Sequence, residues 1–413
     1  MMQRSLVALA SSAAFLFLSV GQALAAGNLV INSMHSDPSA KKAFDAVLEK
    51  FKAENKDINV TVNVIDHESY KIQIRTWLPN NPPDVATWFA GNRAKFFVDK
   101  KLVEPIDDVW KPVEADFGEG AKKAVTFGGK KYLMPATYYH WGFYYRKDLF
   151  EKAGVSKAPA TWKEFTDAVK KLKASGVTPI TIGTKQAWPS AAWFDFLDLR
   201  VNGYDFHMAL LAGNGNYTDP KVKKAMGLWA DLVKDGAFPK NAAAMTWQEA
   251  AALLWQGKAA MYLMGNFVST EIPKELAGKV DFFPFPEVDP NVPVSQVAPT
   301  DVYFIPAKAK NKANAKKFLS FMARPESQQL YNEMNALLSP NTKAKSDPNN
   351  LFLQKGSAIL GEAKGLSQFF DRDAEPEVAK VGMDGFVEFM AYPDRLDSVL
   401  AKMEATRKRV HKK

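Results

Sequence analysis

Aromatic rings and short polar side chains recur together just after short apolar runs, and this pairing is where the sequence places its chemistry. His35 and Ser36 follow Leu29-Val30-Ile31-Asn32, and Asp66 follows the alternating run Asn59 to Val64. Trp88 and Asn92 follow Asp84-Val85, while Trp188, Trp193 and Asp195 follow Thr181-Ile182-Gly183. Trp247 opens a later helix. Flat rings complement the weakly polarised C–H faces of a pyranose, and Asp, Asn, Arg and His complement its rim of hydroxyls. With 10 Trp and 12 Tyr in the chain, the coincidence points to a carbohydrate in a cleft. Asp84 reads as structural.

The elements that must position these groups follow from periodicity. Ala43, Phe44, Val47, Leu48 and Phe51 fall on one helical face, and Asn59 to Val64 alternates as a strand with one buried side. Thr161-x-x-Glu164 and Thr246-x-x-Glu249 are capping boxes, and Asp219-Pro220 starts another helix. Arg324-Pro325 ends the helix that contains Asn314 and Phe318. The β-α-β order predicts an α/β fold with parallel sheets. Ligands of such sheets collect at the carboxyl ends of the strands, where the groups above lie.

Composition narrows the function class. Met1-Met2-Gln3-Arg4, the apolar run Leu6 to Val20 and Gly21-Gln22-Ala23-Leu24-Ala25 have the order of a secretory signal, with cleavage expected after Ala25. The apolar run is shorter than the ~20 residues that span a bilayer. The remainder exceeds the ~250–300 residues at which single cores stop growing, so two domains are expected. The chain has no cysteine, so neither disulfides nor a lipid-modified cysteine is available, and a free periplasmic protein is expected. Its net charge of +9 is spread over single and paired lysines, with one block at Arg407-Lys408-Arg409. Without a nucleic-acid-binding fold, that charge gives no reason to expect a nucleic-acid partner.

The sequence resembles the family 1 extracellular solute-binding proteins, the receptors of carbohydrate ABC importers. The resemblance rests on Pro82-Pro83-Asp84-Val85, Tyr132-Leu133-Met134-Pro135, the run Tyr144 to Gly154, Thr161-Trp162-Lys163-Glu164-Phe165, Gly257 to Met261 and Met264-Gly265-Asn266-Phe267. It implies two α/β lobes joined by crossing strands around an interlobe ligand cleft. One lobe would take 27–138 with 299–340 and the other 139–298 with 341–413. It also implies partners: a sugar, and permease subunits with their ATPase. A monomer that catalyses nothing and needs no cofactor or metal is expected.

Further candidates come from the resemblance. Tyr138-Tyr139-His140-Trp141 falls at the first crossing, where alternate residues face opposite ways, and Tyr138 with His140 is the preferred pair. Gly265, Asn266 and Phe267 match the family's loop of glycine and a stacking ring, although the ring there is most often Trp. Asp301 at the second crossing and Arg372 complete the set. Two alternatives remain: a secreted glycoside hydrolase using paired carboxylates, and a receptor for ferric iron, suggested by the adjacent Tyr138 and Tyr139.

Overall fold

A computed structural model describes residues 27–411; the expected signal segment lies outside them. Among the described residues, two main sheets are formed by Asn28–Ser33 (β1), Asn59–Val64 (β2), Val85–Phe89 (β3), Leu133–Tyr138 (β4), Trp141–Arg146 (β5), Thr178–Thr181 (β6), Ala259–Gly265 (β7), Val280–Phe283 (β8) and Thr300–Phe304 (β9). The first sheet has the order β2-β1-β3-β9-β4 and the second β8-β5-β7-β6. Each sheet has its own core. Phe44, Phe51, Trp88, Tyr303 and Phe318 lie in one, and Phe143, Trp193, Trp229, Phe285 and Phe386 in the other.

The expected parallel sheets are in fact mixed. β1 pairs in parallel with β2 and β3, but β9 runs antiparallel to both β3 and β4, and β5 runs antiparallel to β7 and β8. The cause is the crossing itself, because a strand that enters from the other lobe runs against its neighbours. Tyr138 pairs with Thr300 on one side and bridges Leu338 on the other, so three crossing segments lie side by side there.

Helices framing the cleft are Pro38–Glu54 (α1), His67–Asn80 (α2), Asn92–Asp99 (α3), Trp188–Asn202 (α4), Trp247–Trp255 (α5), Pro325–Asn335 (α6), Leu351–Gly361 (α7) and the short turn Phe370–Asp373 (α8). Both capping boxes form: Thr161 Oγ1 accepts from Glu164 N–H and Thr246 Oγ1 from Glu249 N–H. The second fixes where α5 begins, which sets Trp247 and Gln248 at the cleft. Asp84 is a structural clip, accepting from Val30 N–H at 2.9 Å and Asn311 N–H at 2.7 Å. Alternation in β2 is present but weak, since this edge strand buries none of its side chains fully.

Candidate functional site

Between the lobes lies a cavity of about 170 Å³. One wall, on the lobe of the first sheet, comes from the loops after β1 and β2, with Met34 to Asp37, Asp66 and His67, and from Phe89 at the end of β3. The other wall carries Trp188, Trp247, Gln248, Phe267 and Phe369, while Tyr139 and Trp141 form the floor.

Phe267 is the hub of an aromatic box. Its ring meets Tyr139, Trp141, Trp188 and Trp247 edge-on, with centroids 5.6, 6.2, 6.2 and 5.3 Å away. Trp141 also stacks on Phe369 at 4.8 Å. Gly265 makes this possible, because a Cβ there would stand 2.5 Å from the Phe267 ring and 3.1 Å from Trp141. The Trp141 indole N–H is buried and has no partner, a donor available to a ligand oxygen.

Opposite the rings are polar groups held rigidly. Arg372 lies 4.2 Å over the Phe89 ring and donates to Asp301 Oδ1 at 2.7 Å and to the Tyr139 hydroxyl at 2.8 Å. Lys71 donates to Glu68 at 2.9 Å and to Asp371 at 3.4 Å, and Arg93 reaches the same Asp371 carboxylate at 3.2 Å. Each cation at the cleft is therefore matched by a carboxylate. Burial lowers His35 to about 4 and, with nearby cations, lowers His67, so both are neutral at physiological pH. Gln248 Nε2 donates to Asp37 Oδ1 at 2.9 Å, joining the two lobes across the mouth.

The structure brings His35, Ser36, Asp66, Trp247, Phe267, Asp301 and Arg372 to the cavity. It moves the other candidates elsewhere. Trp88 is a core residue between Tyr70 and Phe97, and its strand neighbour Phe89 takes the cleft because successive strand residues face opposite sides. The same alternation reverses the preference at the first crossing. Tyr139 and Trp141 line the cavity, His140 is fully buried against α7, and Tyr138 pairs with Leu338. Asn92 donates to the Asp373 carbonyl at 2.8 Å, tying α3 to α8 outside the cavity.

Trp193 is 1% exposed and stacks on Trp229. Trp188, five residues earlier in α4 and so far round the helix, lines the cleft instead. Gly265 acts only by leaving room, and Asn266 turns away from the cavity. Phe89, His67, Lys71, Gln248 and Asp371 also line the cavity, although they are not among the residues that the sequence marks. Gln248 alone carried a local sign, its place beside Trp247 in a capped first turn.

Asp195 is also buried, and its role is to hold α8. Its Oδ2 accepts from Phe370 N–H at 2.8 Å, while Oδ1 lies 3.5 Å from His207 Nε2, whose Nδ1 is 2.8 Å from Asp198. Burial foremost pushes Asp195 up to about 8, offset by His207 and the Phe370 N–H. For His207, burial acts downward, but the Asp198 hydrogen bond and both carboxylates outweigh it and raise the pKa. Folded protein thus holds protons here that the unfolded chain releases. Stability from this pair is present at low pH and falls as pH rises between about 4 and about 8. Asp195→Asn keeps an acceptor for Phe370 N–H. Relative to wild type, its stability should improve with rising pH by up to ~1.4 kcal/mol per unit, read from urea melts at pH 5.5, 7 and 8.5; parallel curves would remove Asp195 as the titrating group.

Residues 36–329, more than half of the chain, match the bacterial extracellular solute-binding proteins. An uncharacterized ABC transporter extracellular-binding protein of Pyrococcus horikoshii is 28% identical over 366 residues, covering 85% of this chain and 80% of that protein. The multiple sugar-binding protein of Streptococcus mutans is 24% identical over 312 residues, covering 71% of this chain and 72% of its own. Among solved structures, the bacterial solute receptor AcbH, described as exclusively preferring β-D-galactopyranose, superposes with a TM-score of 0.88 at 31% identity, covering 94% of this chain and 100% of that one. Maltose-bound MalE3 of T. maritima shares the fold, with a TM-score of 0.77 at 18% identity over 93% of this chain and 100% of that one. Sheet order, interlobe cavity and sequence agree: this chain belongs to the family of bacterial extracellular solute-binding proteins.

Proposed function

We propose that the protein captures one neutral pyranose in the interlobe cleft and delivers it to an ABC permease. The aromatic box around Phe267 supports this reading best, since its rings offer flat faces to a sugar. A cavity of ~150 Å³ holds a benzene-sized ring, so about 170 Å³ favours a monosaccharide over a chain of sugars. Similarity to a galactopyranose receptor at 31% identity points the same way. A neutral ligand is favoured by the pairing of Arg372 with Asp301 and of Lys71 with Glu68 and Asp371, which leaves neither cation free for an anionic sugar.

In this reading the mature chain begins after Ala25, resides in the periplasm as a monomer, and closes 27–138 with 299–340 onto 139–298 with 341–413. It acts without cofactor or metal and turns nothing over. Against ferric iron, burial raises the Tyr139 phenol and its oxygen accepts from Arg372, so phenolate ligation is disfavoured, and Tyr138 faces elsewhere. Against hydrolysis, Asp301 is engaged by Arg372 and does not stand free as an acid or base.

A thermal-shift panel of neutral, acidic and disaccharide sugars should select a monosaccharide such as D-galactose, with ~2.7 kcal/mol of stabilisation at a hundredfold excess over Kd. Its affinity by calorimetry should change less than about twofold between low and high NaCl, because stacking and hydroxyl hydrogen bonds carry no net charge. Selection of a sugar acid, with affinity falling several-fold in salt, would replace the neutral reading. Release of product from aryl glycosides would replace the receptor reading.

A further inference from the structure

Asn266 follows the strand end that carries Gly265 and precedes the hub ring Phe267, yet its own side chain is fully buried and points at the hinge. Its Oδ1 accepts from the Tyr144 hydroxyl at 2.6 Å, and its Nδ2 donates to the Ala336 carbonyl in the third crossing segment. Its backbone N–H donates to the His140 carbonyl in the first crossing at 3.0 Å. The orientation of the carboxamide follows from chemistry, because a carbonyl can only accept and Ala336 therefore requires the NH₂ end. Two residues on, Leu338 exchanges both backbone hydrogen bonds with Tyr138 at 3.0 Å. Ala336 itself sits in the left-handed region, with φ 51°, a conformation unfavourable to a residue with a Cβ unless its surroundings hold it.

We propose that Asn266 is a positioning residue that couples the ligand-facing Phe267 to the first and third crossing segments, so that a sugar resting on the ring fixes the hinge in its closed setting. It touches no ligand. A shift of Phe267 in the empty cleft carries the adjoining Asn266 with it, and the side chain and backbone N–H of Asn266 pass it to Tyr144, Ala336 and His140. Burial makes the link stiff, since Asn266 and Tyr144 are shielded from bulk solvent and a lost partner leaves a buried polar group unpaired.

Asn266→Asp tests it, because the isosteric carboxylate keeps the Tyr144 bond but turns an acceptor on the Ala336 carbonyl. Without ligand, amide exchange at Tyr138 and Leu338 should quicken about tenfold while the β7 interior is unchanged. An exchange pattern identical to wild type would overturn the coupling. Val399→Ala, a buried residue packed against Gly385 and outside the cavity lining, is the stability control. With D-galactose as probe, Asn266→Asp should lose at least tenfold in affinity, chiefly through faster dissociation, and lose the ligand-induced fall in radius of gyration. The control, matched in melting temperature, should keep both. Equal losses in the two variants would make Asn266 merely structural. The inference rests on the sugar-capture reading, but the two fail separately: wild type that neither binds nor compacts with any sugar defeats that reading, and the ligand-free exchange result judges the coupling by itself. If Asn266→Asp does not fold, wild-type exchange decides, since bound sugar must slow Tyr138 and Leu338 and an unchanged rate would overturn the proposal.

Discussion

Arg372→Ala should cost at least a hundredfold in sugar affinity and ~3–5 kcal/mol in stability, the usual result of removing one member of a buried ion pair. Arg372 and Asp301 keep 9% and 19% of their side-chain surface exposed, so the carboxylate left behind has little water to turn to. Burial already raises the Asp301 pKa, and the Arg372 charge restrains it. Without Arg372 the folded-state pKa rises further above the unfolded value. The stability deficit should therefore shrink as pH falls and Asp301 takes up a proton, and grow as pH rises.

The double variant Asp301→Asn/Arg372→Met separates the two effects. Replacing both charges by neutral groups of similar size should restore most of the stability, but not the binding, because the donor that orients Tyr139 and covers Phe89 is gone. Urea melts and calorimetry with D-galactose read the two quantities independently. Retained affinity in Arg372→Ala would make the residue a strut between lobes and nothing more.

Much of this site was legible because loop position is a local property. A strand end is visible from an apolar run and a polar break, so His35, Ser36 and Asp66 could be placed at the cleft without knowing any contact. Capping is equally local, and Thr246-x-x-Glu249 placed Trp247. Phase within an element is different. One residue of register decides whether Trp88 or Phe89, and His140 or Trp141, faces the cavity, and that register is set by the sheet to which the strand pairs. Trp88 pairs with Val302, a partner more than two hundred positions away in sequence. Asp371 and Lys71 were beyond reach for the same reason, since their meeting is a product of how the lobes face each other. The mixed sheets follow suit: a strand that crosses between lobes reads the same as one that does not.

Trp193 shows how far that limit extends, because its sequence setting is almost the same as that of Trp188. Both follow the strand ending at Thr181 and both lie in α4. Trp193→Ala should destabilise the protein by ~3–5 kcal/mol, as large-to-small changes of core aromatics do, while sugar affinity in the folded fraction stays within about threefold. The ring is stacked on Trp229 at 6.2 Å, meets Phe238 and Phe285 edge-on at 5.1 and 5.9 Å, and is not part of the cavity lining. Trp188→Ala should do the reverse. That ring is only partly buried, at the cleft end of the helix, so stability should change by less than ~1 kcal/mol and affinity should fall by about tenfold or more, as for a stacking anchor in a pocket. Denaturant midpoints and calorimetry on the pair make the comparison internal. If Trp193→Ala loses affinity at unchanged stability, the ring swings into the cleft on binding and the core assignment fails. If both variants lose stability alone, the aromatic box does not hold the sugar, and the polar face around Arg372 must supply the affinity.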